Sequence, residues 1–206
     1  MKTNLDTEYI SYIKQKYPAN VCEENRLGFI HIPKTGGNLI KKSLGTLDGH
    51  SHLNIQSMPP GFSKNLWTFA FTRNPYERCL SAYFYLIKGG SGNKADLYDA
   101  SEYITPYRNF KSFVMDGGLD IASTKQIHFL SQKNFIDESM DFVGKFENIK
   151  RDFFEICKIN KIYKRLLYNN QKRVKIDHEK FLEVDIKRKI YNIYMEDFDK
   201  FEYSYS

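Results

Sequence analysis

The chain offers no cysteine pair close enough in sequence to suggest a staple or a metal clip. Its three cysteines, Cys22, Cys79 and Cys157, are widely spaced, odd in number and part of no Cys-x-x-Cys or Cys/His cluster. A disulfide framework and a zinc site are therefore unsupported, and buried thiols in a reducing compartment are the expectation. Long apolar runs are missing as well, since nothing approaches the roughly 18 residues of a membrane span. The opening Met1-Lys2-Thr3-Asn4-Leu5-Asp6-Thr7-Glu8 lacks the apolar core of a signal peptide. The expectation is a cytoplasmic protein without a transmembrane segment. Repeats and low-complexity linkers are also lacking.

What remains is a chain of 206 residues, 41% hydrophobic and 16% aromatic. That length and composition suit one domain over 1–206 with a real core, carrying a helical extension over 1–25. A net charge of +6 and a pI near 9.0 fit an anionic partner, whether nucleotide, acidic polysaccharide, nucleic acid or membrane surface.

Apolar periodicity sets the elements. Leu5, Tyr9, Ile13 and Tyr17 share one face of a helix over 5–17. Residues 27–32 and 66–71 read as short buried strands, followed by helices over 38–44 and 75–87. Asn74 reads as the N-cap of the second helix, with Pro75 at a position where its missing N–H is harmless. Between these units, 45–65 is broken by Gly45, Gly49, Pro59, Pro60 and Gly61. Gly89-Gly90-Ser91-Gly92-Asn93 reads as the most flexible stretch, a loop able to move near a site. Further helices are expected around 109–115 and 124–131, a strand over 141–146, and a helix carrying Ile149, Phe153, Ile156 and Cys157. Over 163–168 periodicity leaves helix and strand both open. A last helix over 183–199 carries the stripe Ile186, Ile190, Ile193, Tyr194 and Asp197. Strands alternating with helices predict an α/β fold with a mainly parallel central sheet flanked by helices.

Two segments carry chemistry: Phe29-Ile30-His31-Ile32-Pro33-Lys34-Thr35-Gly36-Gly37-Asn38 and Phe69-Ala70-Phe71-Thr72-Arg73-Asn74-Pro75-Tyr76-Glu77-Arg78. Each reads as a buried strand running into a polar loop that opens a helix, where free N–H groups and the helix dipole favour an anion. Two such places, each with a cation, suggest a ligand with two separate phosphate-like groups. The first is not a Walker A loop, because Lys34 precedes the glycines instead of following them. Gly36 and Gly37 still let the backbone approach an oxyanion, with Lys34 as a point charge and Thr35 as a hydroxyl donor.

In this order the motifs resemble the carbohydrate sulfotransferases, the family of heparan and chondroitin sulfotransferases and their bacterial counterparts. The resemblance continues through Phe142-Val143-Gly144-Lys145-Phe146-Glu147-Asn148-Ile149 with Asp152 behind it, and closes on Tyr194-Met195-Glu196-Asp197-Phe198-Asp199-Lys200-Phe201-Glu202-Tyr203. It implies an α/β relative of the P-loop kinases whose donor is 3′-phosphoadenosine 5′-phosphosulfate (PAPS), whose product is 3′,5′-ADP, and which needs no metal. It also implies that Lys34, Thr35, Gly36, Gly37, Asn38 and Leu39 cradle the 5′-phosphosulfate. Arg73 and Ser81 would bind the 3′-phosphate, with Arg173 as a further ligand, and Phe146 would lie against the adenine. The poorly matched 89–140 would be a variable, acceptor-side region. The family shows Thr or Ser where this chain has Asn38.

The acceptor implied is a carbohydrate, with an acidic polysaccharide or a glycolipid as candidates, and no nucleic acid is expected. Related enzymes carry a histidine base between the two loops, where this chain has Gly49-His50-Ser51-His52-Leu53. His52 matches that position, with His50 supporting the acceptor, Lys34 stabilising the leaving group and His31 read as a core residue. Plainer readings stand beside these. Arg73 could simply pair with Glu77, Ser81 could be a packed helical serine, and Phe146 could be core. Arg78, Lys88, Arg108 and Lys125 are surface charges or contacts to an acidic acceptor. A kinase on a related scaffold and a non-catalytic polyanion binder are the competing functions; the oligomeric state is open.

Overall fold

Three of the apolar runs pair side by side and parallel. The computed structural model describes residues 7–45, 52–167 and 178–205. Its sheet has the order β1 (Val21–Cys22), β2 (Leu27–Ile30), β3 (Trp67–Thr72) and β4 (Phe142–Lys145). Strand β1 runs antiparallel to β2, while β2–β3 and β3–β4 are parallel. The helices are α1 (Thr7–Lys16), α2 (Gly37–Leu44), α3 (Phe62–Asn65), α4 (Pro75–Ile87) and α5 (Lys94–Asp99). They continue as α6 (Phe110–Met115), α7 (Gly118–Lys125), α8 (Ile149–Ile159) and α9 (Val184–Lys200). The expected α/β fold is present. The two-residue β1 escaped the sequence pattern because so short a strand shows no alternation.

The contacts group the chain into two units, one holding the described residues up to 72 with 134–167, the other 73–133 with 178–205. In the first unit, alternation sends Leu27, Phe29, Phe69 and Phe71 to one face of the sheet. There they pack with Ile40 and Leu44 of α2 and with Ile149, Phe153, Ile156 and Cys157 of α8. Phe29 and Phe69 are register partners whose rings stack with centroids 5.0 Å apart. Helix α1 turns Ile10 and Ile13 inward, with Tyr9 and Tyr17 half-buried, so Ile13 is buried as expected and Ile10 joins it. Residues 163–167 form neither helix nor strand; Leu167 N–H donates to Ser43 Oγ at 2.8 Å.

In the second unit, Asn74 caps α4 through its side chain, which accepts from Tyr76 N–H and Glu77 N–H, with Pro75 opening the helix. Helix α4 buries Tyr76, Leu80, Tyr83 and Leu86 against Phe110, Phe113, Ile186, Ile190, Tyr194 and Phe198. The helix expected over 124–131 lies instead at α7. Gly117, at φ 95°, turns the chain into it, and Gln126 leaves helical geometry (φ −99°, ψ 122°). All three cysteines are buried and free, and burial pushes the Cys79 thiol far up. No helix among the described residues is long and apolar enough to cross a membrane.

The stretch expected to be most flexible is tied down by one carboxylate. Asp96 Oδ2 accepts from Ser91 N–H (2.8 Å), Ser91 Oγ (2.7 Å), Tyr85 OH (2.6 Å) and Asn93 Nδ2 (3.2 Å). Gly90 is needed there: at φ 62° a Cβ would also lie 2.4 Å from that of Asp96. Behind it, Gln126 Nε2 donates to Asp99 Oδ2 at 2.8 Å and lies 3.0 Å from His128 Nδ1. Asp96, Asp99 and His128 thus bring potential ligand atoms within 4.8 Å of one another, a grouping their sequence spacing does not announce.

Burial would raise the Asp96 pKa, but the Tyr85 and Ser91 donors and the charge of His128 draw it below the ordinary carboxylate value. Burial and the bond to Asp96 push Tyr85 up to about 12. A depressed carboxylate stabilises the fold above its unfolded pKa of roughly 3.9, and that stability is lost as pH falls through the folded pKa. Asp96→Asn should therefore lower the urea midpoint at neutral pH and approach wild type in strong acid. A difference that stays constant with pH would assign Asp96 a packing role only.

Candidate active site

The loop after β2 is shaped by its own backbone. Thr35 is fully buried and its Oγ1 donates to Ile32 O at 2.8 Å, which closes the turn. The hydroxyl expected to face an anion is thus engaged with the chain. Lys34 adopts φ 70°, a left-handed conformation that costs a non-glycine residue roughly 1–2 kcal/mol. Gly36 follows at φ 89° as the N-cap of α2, with no side-chain cap. The first N–H groups of an α-helix have no intrahelical acceptor, and α2 has no acidic residue in its first turn. Asn38 is exposed, Leu39 and Lys34 are half-buried, and Gly37 is buried.

Two aromatic rings press on the glycines. A Cβ on Gly36 would lie 2.9 Å from the Phe146 ring, and one on Gly37 would lie 2.0 Å from His31 Cδ2 and Nε2. Phe146 is half-buried at the end of β4, so the loop and the residue expected at the adenine are in contact. Lys145 N–H before it donates to buried Asp152 Oδ2 at 2.8 Å, which accounts for Asp152 in that motif.

His31 is 5% exposed and stacks on Phe29, as a core histidine would. It also carries His52, whose ring centroid lies 4.4 Å from its own, with His52 Nδ1 3.0 Å from the His31 carbonyl oxygen. A carbonyl can only accept, so Nδ1 bears the hydrogen and Nε2 is the accepting nitrogen of the neutral ring. The structure therefore brings Lys34 to Leu39, Phe146 and His52 into one neighbourhood. The sequence did not reveal His31 as the link, because a buried histidine in a strand reads as ordinary core.

The second loop belongs to the other unit. Arg73 Nη2 donates to Glu77 Oε2 at 3.1 Å, the pairing offered by the plainer reading. Arg73 N–H and C=O are both bonded by the side-chain amide of Gln132, which sequence reasoning missed. Ser81 is half-buried on α4. Arg78 is 2% exposed, neither a solvated charge nor an available acceptor contact; burial lowers its pKa, while Tyr194 and Asp197 oppose the shift. Lys88, Arg108 and Lys125 are exposed. His50 and Arg173 lie outside the described residues.

The model of the sulfotransferase family matches residues 17–204. The chain belongs to that family. Its reaction class is accordingly the transfer of a sulfuryl group to an acceptor. No curated protein and no solved structure gives a significant match. In this sulfotransferase the matched range spans both loops, β4 and the whole of the last helical motif.

Lys34 holds its conformation against its own preference, and this can be measured. Lys34→Gly should be more stable to urea than Lys34→Ala by roughly 0.5–1 kcal/mol, because both lose the amine and only glycine is at ease at φ 70°. Equal stabilities would show that the loop relaxes once the lysine is gone.

Proposed function

We propose that this sulfotransferase moves a sulfuryl group from PAPS to a hydroxyl of a carbohydrate, releasing 3′,5′-ADP. The observation that carries the reading is a strained, glycine-bearing loop at a helix N-terminus, set beside an imidazole whose Nε2 can accept a proton. The glycine cradle and the α2 N-terminus suit the 5′-phosphosulfate; the donor would supply the group transferred, as a mixed anhydride.

Each residue then has a defined task. Lys34 and the opening N–H groups of α2 stabilise the negative charge left on the 5′-phosphate, with Thr35, Gly36, Gly37, Asn38 and Leu39 shaping the cradle. Thr35 does so by closing the turn. His52 takes the acceptor proton at Nε2 while its Nδ1–H stays on the His31 carbonyl, which steadies the resulting imidazolium. Phe146 offers a ring face to the adenine, and Arg73 and Ser81 read the 3′-phosphate. His50 is assigned to acceptor support and Arg173 to the 3′-phosphate. The charge of +6 supports an acidic polysaccharide or an anionic glycolipid as acceptor. No residue in this scheme calls for a metal. The displaced lysine pattern disfavours a kinase, and the loop geometry disfavours a polyanion binder that works by charge alone.

A thermal-shift panel of 3′,5′-ADP, AMP, ATP with magnesium and a short oligonucleotide tests the donor. A ligand at about 100 times its Kd stabilises by about 2.7 kcal/mol, so 3′,5′-ADP should raise Tm clearly and more than AMP. A response to ATP–magnesium without one to 3′,5′-ADP would sink the reading. The base is tested separately, once an acceptor is found by screening. His52→Ala should retain 3′,5′-ADP affinity and lose about 10²–10⁴-fold in turnover. Unchanged turnover would place the base elsewhere.

A further inference from the structure

Helix α9 and residues 131–133 form a relay that ends on Arg73. Asp197 is fully buried and uses both carboxylate oxygens. Oδ1 accepts from Ser131 Oγ at 2.6 Å and Lys133 N–H at 2.9 Å, and Oδ2 accepts from Gln132 N–H at 2.8 Å. The backbone of Gln132 is thereby fixed, and its fully buried side chain closes on Arg73. Gln132 Oε1 accepts Arg73 N–H at 2.9 Å, and Gln132 Nε2 donates to Arg73 C=O at 2.8 Å.

Only a primary amide of this length supplies both halves of that grip. Glutamate lacks the donor, lysine lacks the acceptor, and methionine of similar shape lacks both. The grip falls on the first residue beyond β3, where strand pairing ends at Thr72. At the far end of the side chain, Glu77 holds the guanidinium. Arg73 is thus fixed at its backbone by one partner and at its tip by another. A long, flexible cation held at both ends is preorganised, and a small misplacement of such a group is expensive in recognition.

We propose that Gln132 is a positioning residue, held by Asp197, that aims Arg73 so that it distinguishes a 3′-phosphorylated adenosine nucleotide from one bearing only a 5′-phosphate. This rests on the reading of Arg73 given above. Gln132 acts through Arg73, and a purely structural role would weaken both kinds of nucleotide alike.

Titration calorimetry of the 206-residue chain with 3′,5′-ADP and with AMP separates the cases, comparing wild type, Arg73→Ala, Gln132→Met and the double variant. Gln132→Met should weaken 3′,5′-ADP about tenfold while AMP changes by less than about threefold, the size expected for a misaimed charge-assisted contact. The double variant should bind 3′,5′-ADP no more weakly than Arg73→Ala, because the amide acts only through that arginine. Equal weakening of both nucleotides by Gln132→Met, or full additivity with Arg73→Ala, overturns the positioning role. Equal weakening of both by Arg73→Ala itself overturns instead the reading on which the proposal rests. Should Gln132→Met fail to fold, Ser131→Ala loosens the relay at Asp197 Oδ1 with Gln132 intact. It should then produce a smaller loss confined to 3′,5′-ADP, and an equal loss for both nucleotides overturns the proposal.

Discussion

Parallel pairing of β2, β3 and β4 fixes where the motif-bearing loops can leave the sheet. Parallel strands cannot be joined by a tight hairpin, so each connection crosses over through helices and the strands all end at the same edge. The register Ile30 opposite Ala70 and Thr72 opposite Lys145 sets this edge. From it depart His31 to Gly37, Arg73 to Asn74, and Phe146. In open α/β sheets ligands bind outside the carboxyl ends of the strands, and the chain places left-handed Lys34, Gly36 and Gly37, and the Phe146 ring there.

Backbone and side chains divide the work at the first loop. The backbone provides the open helix end, and the left-handed Lys34 and Gly36 turn the chain toward it. Side chains then prevent collapse: His31 and Phe146 occupy the space that any Cβ at Gly37 or Gly36 would claim. The two glycines are therefore needed for packing, whatever else the loop does. His31 has a further effect, because its carbonyl sets the tautomer of His52.

Buried carboxylates organise the other unit. Asp197 takes three donors from residues 131–133 and lies close enough to influence the buried Arg78. Asp96 gathers Tyr85, Ser91 and Asn93 around a turn that composition alone would leave loose. A buried charge is tolerated only when nearly all its hydrogen-bonding capacity is met, so each carboxylate dictates the path of the chain that supplies its donors. That is the physical role of Asp197 in the Tyr194–Tyr203 motif.

Local chemistry made much of this legible in advance. Short apolar runs marked β2, β3 and β4, helical stripes marked α8 and α9, and Asn74-Pro75 marked the start of α4. The order of the motifs pointed to a carbohydrate sulfotransferase, and the match over residues 17–204 bears out the sulfotransferase family. What the sequence could not determine depends on partners distant along the chain. Gln132 reaches Arg73 across 59 positions, Asp197 reaches Ser131 across 66, and His52 reaches His31 across 21. Asp96 tied down a glycine-rich loop because hydrogen bonding in the folded state overrode local propensity, whereas the shift of α7 follows from Gly117, a local turn at φ 95°. Periodicity, caps and glycine positions are properties of neighbours and are written in the sequence. The partner of a buried polar group is chosen only when the chain has folded around it, since the cost of leaving it unmet arises only when water is excluded.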